Sequence, residues 1–192
     1  QTITSTVTES PTSSSTMTST TTATASATAS STASPTRTAT VITSGNSYWL
    51  SDQTNVISGN FMMYPSPPPV SSSQSTGGTV SFETEFFEAG STLESGMTTV
   101  YLYATNTSLS EGSIGIEIFS GWNSLGSGQG AVPAAVLDPR LLSVSFSTSA
   151  TVLQGEGRFL MANISTDPGV RIYWAGSAYD EARVDFPEIA GP

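Results

Sequence analysis

The chain has 192 residues, with fifteen acidic and five basic side chains, and its formal net charge is −10. All five basic residues are arginine, and lysine, histidine and cysteine are absent. This composition excludes histidine-assisted nucleophilic catalysis and metal centres held by histidine or cysteine. It also argues against a nucleic-acid partner, because phosphate would meet a negative field. From composition alone we expect a structural surface protein that is not an enzyme and has no cofactor.

The first 44 residues differ sharply in composition from the rest. Serine and threonine account for 28 of these 44 residues, and Glu9 and Arg37 are the charged ones. Such a segment has too little apolar surface to offset the entropy of ordering, and its hydroxyls are typical of an O-glycosylated stalk. We therefore predict two parts: an extended tail over residues 1–44 and a folded domain over residues 45–192.

The start of the tail predicts a strand. It runs Thr2-Ile3-Thr4-Ser5-Thr6-Val7-Thr8, and alternate residues of an extended chain share one face. Threonine is β-branched and favours extended backbone. A second extended stretch covers residues 38–43.

Residues 45–192 are predicted to be all-β. Alternation of apolar and polar residues is clear in residues 80–86, 100–104 and 142–146, and glycine-rich turns separate the runs. The glycine-rich segment 126–130 is interpreted as a flexible hairpin connection. The predicted strands are 47–50, 55–64, 79–87, 98–104, 114–119, 131–136, 141–146, 158–164, 170–174 and 183–186. Nine or ten short strands indicate a two-sheet β-sandwich that is jelly-roll-like.

Several features favour an extracellular location. The chain starts at Gln1, as expected after removal of a signal peptide, and no apolar run is long enough to span a bilayer. Two sequons, Asn106-Thr107-Ser108 and Asn163-Ile164-Ser165, predict N-glycosylation at Asn106 and Asn163. We expect a cell-surface protein with covalent glycans and no transmembrane segment.

The last predicted strands resemble those of a known class of exported proteins. The runs 158–163, 169–174 and 179–187 resemble the last strands of exported prokaryotic β-sandwich repeats. A cysteine-free sandwich behind a threonine-rich N-terminus is similar to subunits of archaeal surface filaments. That resemblance implies that the N-terminal strand of one subunit, here Thr2 to Thr8, completes the sheet of the next. The tail is longer than a single donor strand requires.

Three groups of residues are candidate sites. Oxygen ligands for calcium could come from Asp180, Glu181 and Asp185. The alternative is an ion pair across neighbouring strands, between Asp180 or Glu181 and Arg171 or Arg183. Trp122, between Gly121 and Asn123, is the aromatic residue best placed to stack on a sugar, although a buried or interface role is the alternative.

Glu83 and Glu85 could form a pair of hydrolytic carboxylates, but neighbouring glutamates on a strand are more commonly a solvated surface.

The leading functional hypothesis is a structural subunit of an extracellular filament. Insertion of one chain's N-terminal strand into the next copy is a head-to-tail contact, which generates an open polymer. The alternatives are a carbohydrate-binding module on a glycosylated linker, and a monomeric stalked surface-layer or adhesion domain.

Overall fold

The computed structural model describes residues 2–3, 8–10, 14–17, 23–24, 46–67 and 74–192. The chain divides into two units, Gln1–Ile42 and Thr43–Pro192. This division lies close to the predicted boundary after residue 44. Within the described residues, no helix is sufficiently long and apolar to cross a membrane.

The described part of the first unit contains four short strands. They are β1 (Thr2–Ile3), β2 (Thr8–Ser10), β3 (Ser14–Met17) and β4 (Ala23–Thr24). β1 pairs with β4 and β2 pairs with β3, both antiparallel. Of the predicted donor strand, Thr2 and Ile3 belong to β1 and Thr8 begins β2, while Thr4, Ser5, Thr6 and Val7 lie outside the described residues.

The second unit is built from strands, which confirms the all-β prediction. A single turn of 3₁₀-helix covers Gly155–Gly157. The strands are β5 (Ser47–Thr54), β6 (Phe61–Tyr64), β7 (Gln74–Thr76), β8 (Thr79–Thr84), β9 (Thr92–Leu93), β10 (Gly96–Asn106), β11 (Gly112–Ser120), β12 (Asn123–Val132), β13 (Val136–Thr148), β14 (Thr151–Val152), β15 (Leu160–Thr166), β16 (Val170–Trp174), β17 (Arg183–Asp185) and β18 (Ile189–Ala190).

Most of these strands belong to one hydrogen-bonded path that folds over on itself. The path runs β12-β11-β15-β8-β6-β5-β17-β10-β16-β7, and β13 pairs with β10. β6 and β8 are parallel neighbours, whereas β11 lies antiparallel to both β12 and β15. The fold-over brings Phe82 of β8 against Trp174 of β16, with ring centroids 5.1 Å apart. The result is a two-layer sandwich, and a small sheet β14-β9-β18 accompanies it.

The core fills the space between the two layers. In β11, β15 and β10 every second residue is buried, as the period of a strand requires. Fully burying one valine, leucine or isoleucine side chain stabilises the fold by about 1.5–3 kcal/mol. These positions are Ile114, Ile116 and Ile118 on β11, Leu160, Ala162 and Ile164 on β15, and Val100, Leu102 and Ala104 on β10.

Three predicted elements differ clearly from the observed ones. The predicted strand 131–136 is divided, because β12 ends at Val132, residues 133–135 form a turn and β13 begins at Val136. Residues 55–60, predicted as the first part of a strand, form a turn in which the Gly59 N–H donates to the Asn55 carbonyl at 2.8 Å. The segment 126–130, predicted as a flexible connection, lies inside β12. Alternate glycines of β12 face β13, and a methyl group at Gly128 would lie 2.4 Å from a ring carbon of Phe146. These glycines therefore allow two strands to approach closely.

Candidate ligand-binding site

Trp122 lies at the tip of the β11–β12 hairpin. Ser120 pairs with Asn123, which leaves Gly121 and Trp122 as the two turn residues. Gly121 has a φ of 57°, in the left-handed region that glycine adopts without strain. The turn holds the indole away from the core, and Trp122 is 90% exposed. The alternative of a buried Trp122 is therefore excluded within this unit.

A pocket of about 640 Å³ lies on one side of Trp122. Its other apolar walls come from Phe86, which is 66% exposed, and from Phe159 and Met161. The rings of Phe86 and Phe159 meet edge to face, with centroids 5.7 Å apart. A second pocket of about 470 Å³ also uses Trp122. Its lining includes the polar residues Asn123, Thr151 and Gln154, so the indole contributes to an apolar pocket and to a polar one.

Glu83 lines the apolar pocket and is 5% exposed. Its Oε1 accepts hydrogen bonds from Asn55 Nδ2 at 2.5 Å and from Ser58 Oγ at 2.9 Å. Its Oε2 accepts one from Asn60 Nδ2 at 2.8 Å. The carboxylate thus ties the turn over residues 55–60 to the edge of the pocket.

The interpretation of Glu83 and Glu85 as a shared solvated face is wrong for Glu83. β8 ends at Thr84, so Glu85 lies beyond the strand and is exposed. Glu83 is buried because the three polar side chains of the turn satisfy its oxygens, and burial of a carboxylate requires such partners.

Arg158 borders the same pocket. Its Nε donates to the Gly155 carbonyl at 3.3 Å, and its guanidinium carbon lies 5.4 Å from the centre of the Phe86 ring. Among the described side chains, no carboxylate forms an ion pair with Arg158. The pocket therefore combines aromatic walls with one cation and one buried carboxylate.

The acidic residues predicted to bind calcium lie around β17. Asp185 Oδ1 accepts a hydrogen bond from Arg183 Nε at 3.0 Å, and Arg183 Nη1 donates to the Glu181 carbonyl at 3.3 Å. The guanidinium also lies 4.0 Å from the centre of the Tyr101 ring. In the described part of the chain, no group of three acidic side chains is arranged to hold a metal ion, so Asp180, Glu181 and Asp185 are not brought together as a metal site. The ion pair of Arg183 is therefore with Asp185 of the same strand, whereas the prediction named Asp180 or Glu181 on a neighbouring strand as the partner.

The two sequons occupy different environments. Asn106 is fully buried, and its Nδ2 donates to the carbonyls of Ser110 at 2.9 Å and Val132 at 3.1 Å. A glycan on that nitrogen is incompatible with both of these hydrogen bonds, so the contacts argue against the prediction at Asn106. Asn163 lies within β15, is partly exposed, and its Oδ1 accepts a hydrogen bond from Ser81 Oγ at 2.7 Å. Glycosylation at Asn163 stays a prediction.

No family model and no curated protein matches the sequence. Among solved structures, a CocE/NonD family hydrolase from Staphylococcus aureus matches with a TM-score of 0.54 and 12% identity, over 76% of this chain and 37% of the hydrolase. An α-amino acid ester hydrolase matches with a TM-score of 0.48 and 10% identity, over 74% of this chain and 36% of that one. An aminopeptidase from a marine sediment archaeon of the Thaumarchaeota matches with a TM-score of 0.44 and 7% identity, over 72% and 36%.

The first of these likenesses corrects the prediction that the protein is not an enzyme. The solved structure that shares its fold at a TM-score of 0.54 is a hydrolase by name, so that prediction is contradicted. The prediction was based on missing residue types, but an all-β fold of this kind occurs within a protein named as a hydrolase. The chain spans about a third of the length of the hydrolases it matches. At 12% identity the likeness establishes the fold and does not specify a reaction.

Proposed function

We propose that the second unit, Thr43–Pro192, binds saccharides at the two pockets that Trp122 lines. The observation that carries this proposal is the 90% exposure of Trp122 on a two-residue turn. A solvent-exposed indole is an apolar surface that a ligand can cover. Aromatic faces suit the C–H faces of a pyranose ring, whose hydroxyls need polar partners around its edge.

The surroundings of Trp122 supply both kinds of contact. Phe86 and Phe159 extend the aromatic surface in the apolar pocket, and Asn123 and Gln154 offer amide groups in the polar one. The turn of residues 55–60 is held by Glu83, which keeps Ser58 and Asn60 at the border of the apolar pocket. A site supported in this way loses little entropy when a ligand binds, because its walls are already in place.

Titration calorimetry against a panel of soluble oligosaccharides tests the proposal. We expect Trp122→Ala to weaken binding by about tenfold or more, which corresponds to ~1.4 kcal/mol. Leu109→Ala is the matched control, because Leu109 is 95% exposed and does not line either pocket. Equal affinity for wild type and Trp122→Ala, or no binding by wild type across the panel, would refute the proposal. Reducing ends measured in the same samples report whether a bound saccharide is also cleaved.

A second candidate function is the extracellular filament subunit. The supporting observation is that β12 pairs with β11 alone and β13 pairs with β10 alone among the described strands. An unpaired strand edge invites a further strand. Pro139 has no backbone N–H, so it cannot donate a hydrogen bond to an added strand near the start of β13. In this proposal the predicted donor strand, Thr2 to Thr8, therefore pairs with residues 141–146.

In this proposal the full chain is a cell-surface glycoprotein. Electron microscopy of the full chain tests whether it assembles into filaments. We expect filaments from the full chain and single particles from a variant that lacks residues 1–10. A full chain that stays monomeric at all concentrations in light scattering, or a truncated chain that still polymerises, would contradict the strand-exchange mechanism.

A further inference from the structure

We infer that the saccharide recognised beside Trp122 is acidic, and that Arg158 binds the carboxylate of a uronic acid. This inference rests on the proposed saccharide-binding function and specifies its ligand class. It is carried by three features of one pocket: an aromatic surface, a guanidinium at the border, and a buried carboxylate with hydrogen-bonding capacity left.

The guanidinium of Arg158 is held in place by two contacts that do not neutralise its charge. Its Nε donates to the Gly155 carbonyl at 3.3 Å, and its face lies near the Phe86 ring, 5.4 Å from the ring centre. Arginine carries five N–H donors in a rigid planar fork, and these match a carboxylate with two parallel hydrogen bonds. With Nε engaged, and with no described side chain paired to the terminal nitrogens, those nitrogens are the donors that the described part of the structure offers to a ligand at the pocket.

Glu83 is suited to accept a hydroxyl of the same sugar. A carboxylate offers about four acceptor positions, and three are taken by the side chains of Asn55, Ser58 and Asn60. Oε2 accepts one of these bonds and Oε1 accepts two, so the remaining acceptor position is on Oε2. A sugar hydroxyl can donate to it, whereas a carboxylate of the ligand cannot. The pocket therefore distinguishes the two ends of a uronic acid residue.

The overall charge of −10 does not prevent this recognition. At physiological ionic strength, charges more than about 8 Å apart are largely screened. At the pocket, the described charges on the lining are Arg158 and Glu83, and Glu83 is 5% exposed behind its hydrogen-bond donors. An incoming carboxylate therefore meets the guanidinium before it meets the acid.

Calorimetry with paired ligands tests the inference. Oligomers of galacturonate, mannuronate and glucuronate are each compared with the carboxyl-reduced form of the same oligomer. We expect wild type to bind at least one acidic oligomer about tenfold or more tightly than its reduced form. Arg158→Gln should lose that preference and bind the reduced form within about twofold of wild type. Arg171→Gln is the control, because Arg171 is exposed, does not line the pocket and contacts Ser75.

A second variant distinguishes loss of ligand recognition from misfolding. Arg158→Lys keeps the charge but loses the planar fork, so it should retain part of the preference and the thermal stability of wild type. Equal or tighter binding of the reduced oligomers by wild type, or an unchanged preference in Arg158→Gln, would overturn the inference. If neutral oligosaccharides bind in a Trp122-dependent way without any preference for acid, the acidic ligand is refuted and the saccharide function stands. If no oligosaccharide binds at all, both fail.

Discussion

The substitution Gly128→Ala tests whether the glycines of β12 are required for the two layers to pack. Gly128 lies in a strand that pairs with β11, and the face without a side chain meets Phe146 of β13. A β-carbon at position 128 would lie 2.4 Å from Cδ1, 2.9 Å from Cγ and 3.1 Å from Cβ of Phe146. The ring would have to move by about 1 Å to reach ordinary contact, and close-packed interiors resist such a shift.

Two opposing free-energy terms decide the outcome. Overpacking a well-filled core costs about 1–3 kcal/mol. Replacing glycine with alanine returns ~0.4–1 kcal/mol by reducing the entropy of the unfolded chain. The steric term is larger, because three atoms of a side chain that is 7% exposed are too close. We expect a net loss of about 1–2 kcal/mol, or a fall in Tm of ~2–8 °C for a unit of this size.

Thermal and urea unfolding of three single variants measure this loss. Gly191→Ala is the matched control, because a β-carbon there meets nothing within 4 Å. Gly115→Ala is intermediate, since its nearest atom is the Ser165 hydroxyl oxygen at 2.8 Å, which can rotate away. In a double-mutant cycle, Phe146→Leu should reduce the cost of Gly128→Ala by about 0.5 kcal/mol or more. Stability of Gly128→Ala equal to that of Gly191→Ala would refute the packing explanation.

Three further predictions concern buried polar groups. Glu83→Ala leaves three side-chain donors of the 55–60 turn without their acceptor. We expect the free energy of unfolding to fall by about 1–3 kcal/mol and amide exchange in that turn to become faster. Unchanged exchange would contradict the anchoring role. Burial raises the pKa of the Tyr48 hydroxyl above its ordinary value of 10.0. The contribution of Tyr48 to the free energy of unfolding should therefore be fully present below pH 10.0 and be lost as the pH rises through the higher pKa of the folded state. Tyr48→Phe should show a smaller alkaline loss of stability, and identical profiles between pH 8 and 11 would refute this cause. Peptide mapping of the protein purified from its native source should find N-linked sugar at Asn163 and none at Asn106, and an occupied Asn106 would require a different fold around β10.

The fold class could be predicted from the sequence because strand periodicity is a local property. Val170–Trp174 was predicted with the bounds that the structure has, and Leu102 and Val144 were placed on core strands by alternation alone. Trp122 could also be singled out locally, since an aromatic residue beside a turn glycine has few core positions to fill.

Tertiary structure decided the properties that depend on partners distant in the chain. Glu83 is buried because donors 23–28 residues away reach its oxygens, and nothing in its own strand indicates them. Asn106 carries a sequon, but its nitrogen is engaged by Val132, 26 residues further on. The glycines of β12 looked like a flexible connection, because their role is to make room for the side chains of β13. The pocket likewise joins Phe86, Trp122 and Arg158 from three separate segments, and only folding brings an aromatic surface, a cation and a buried carboxylate to one site.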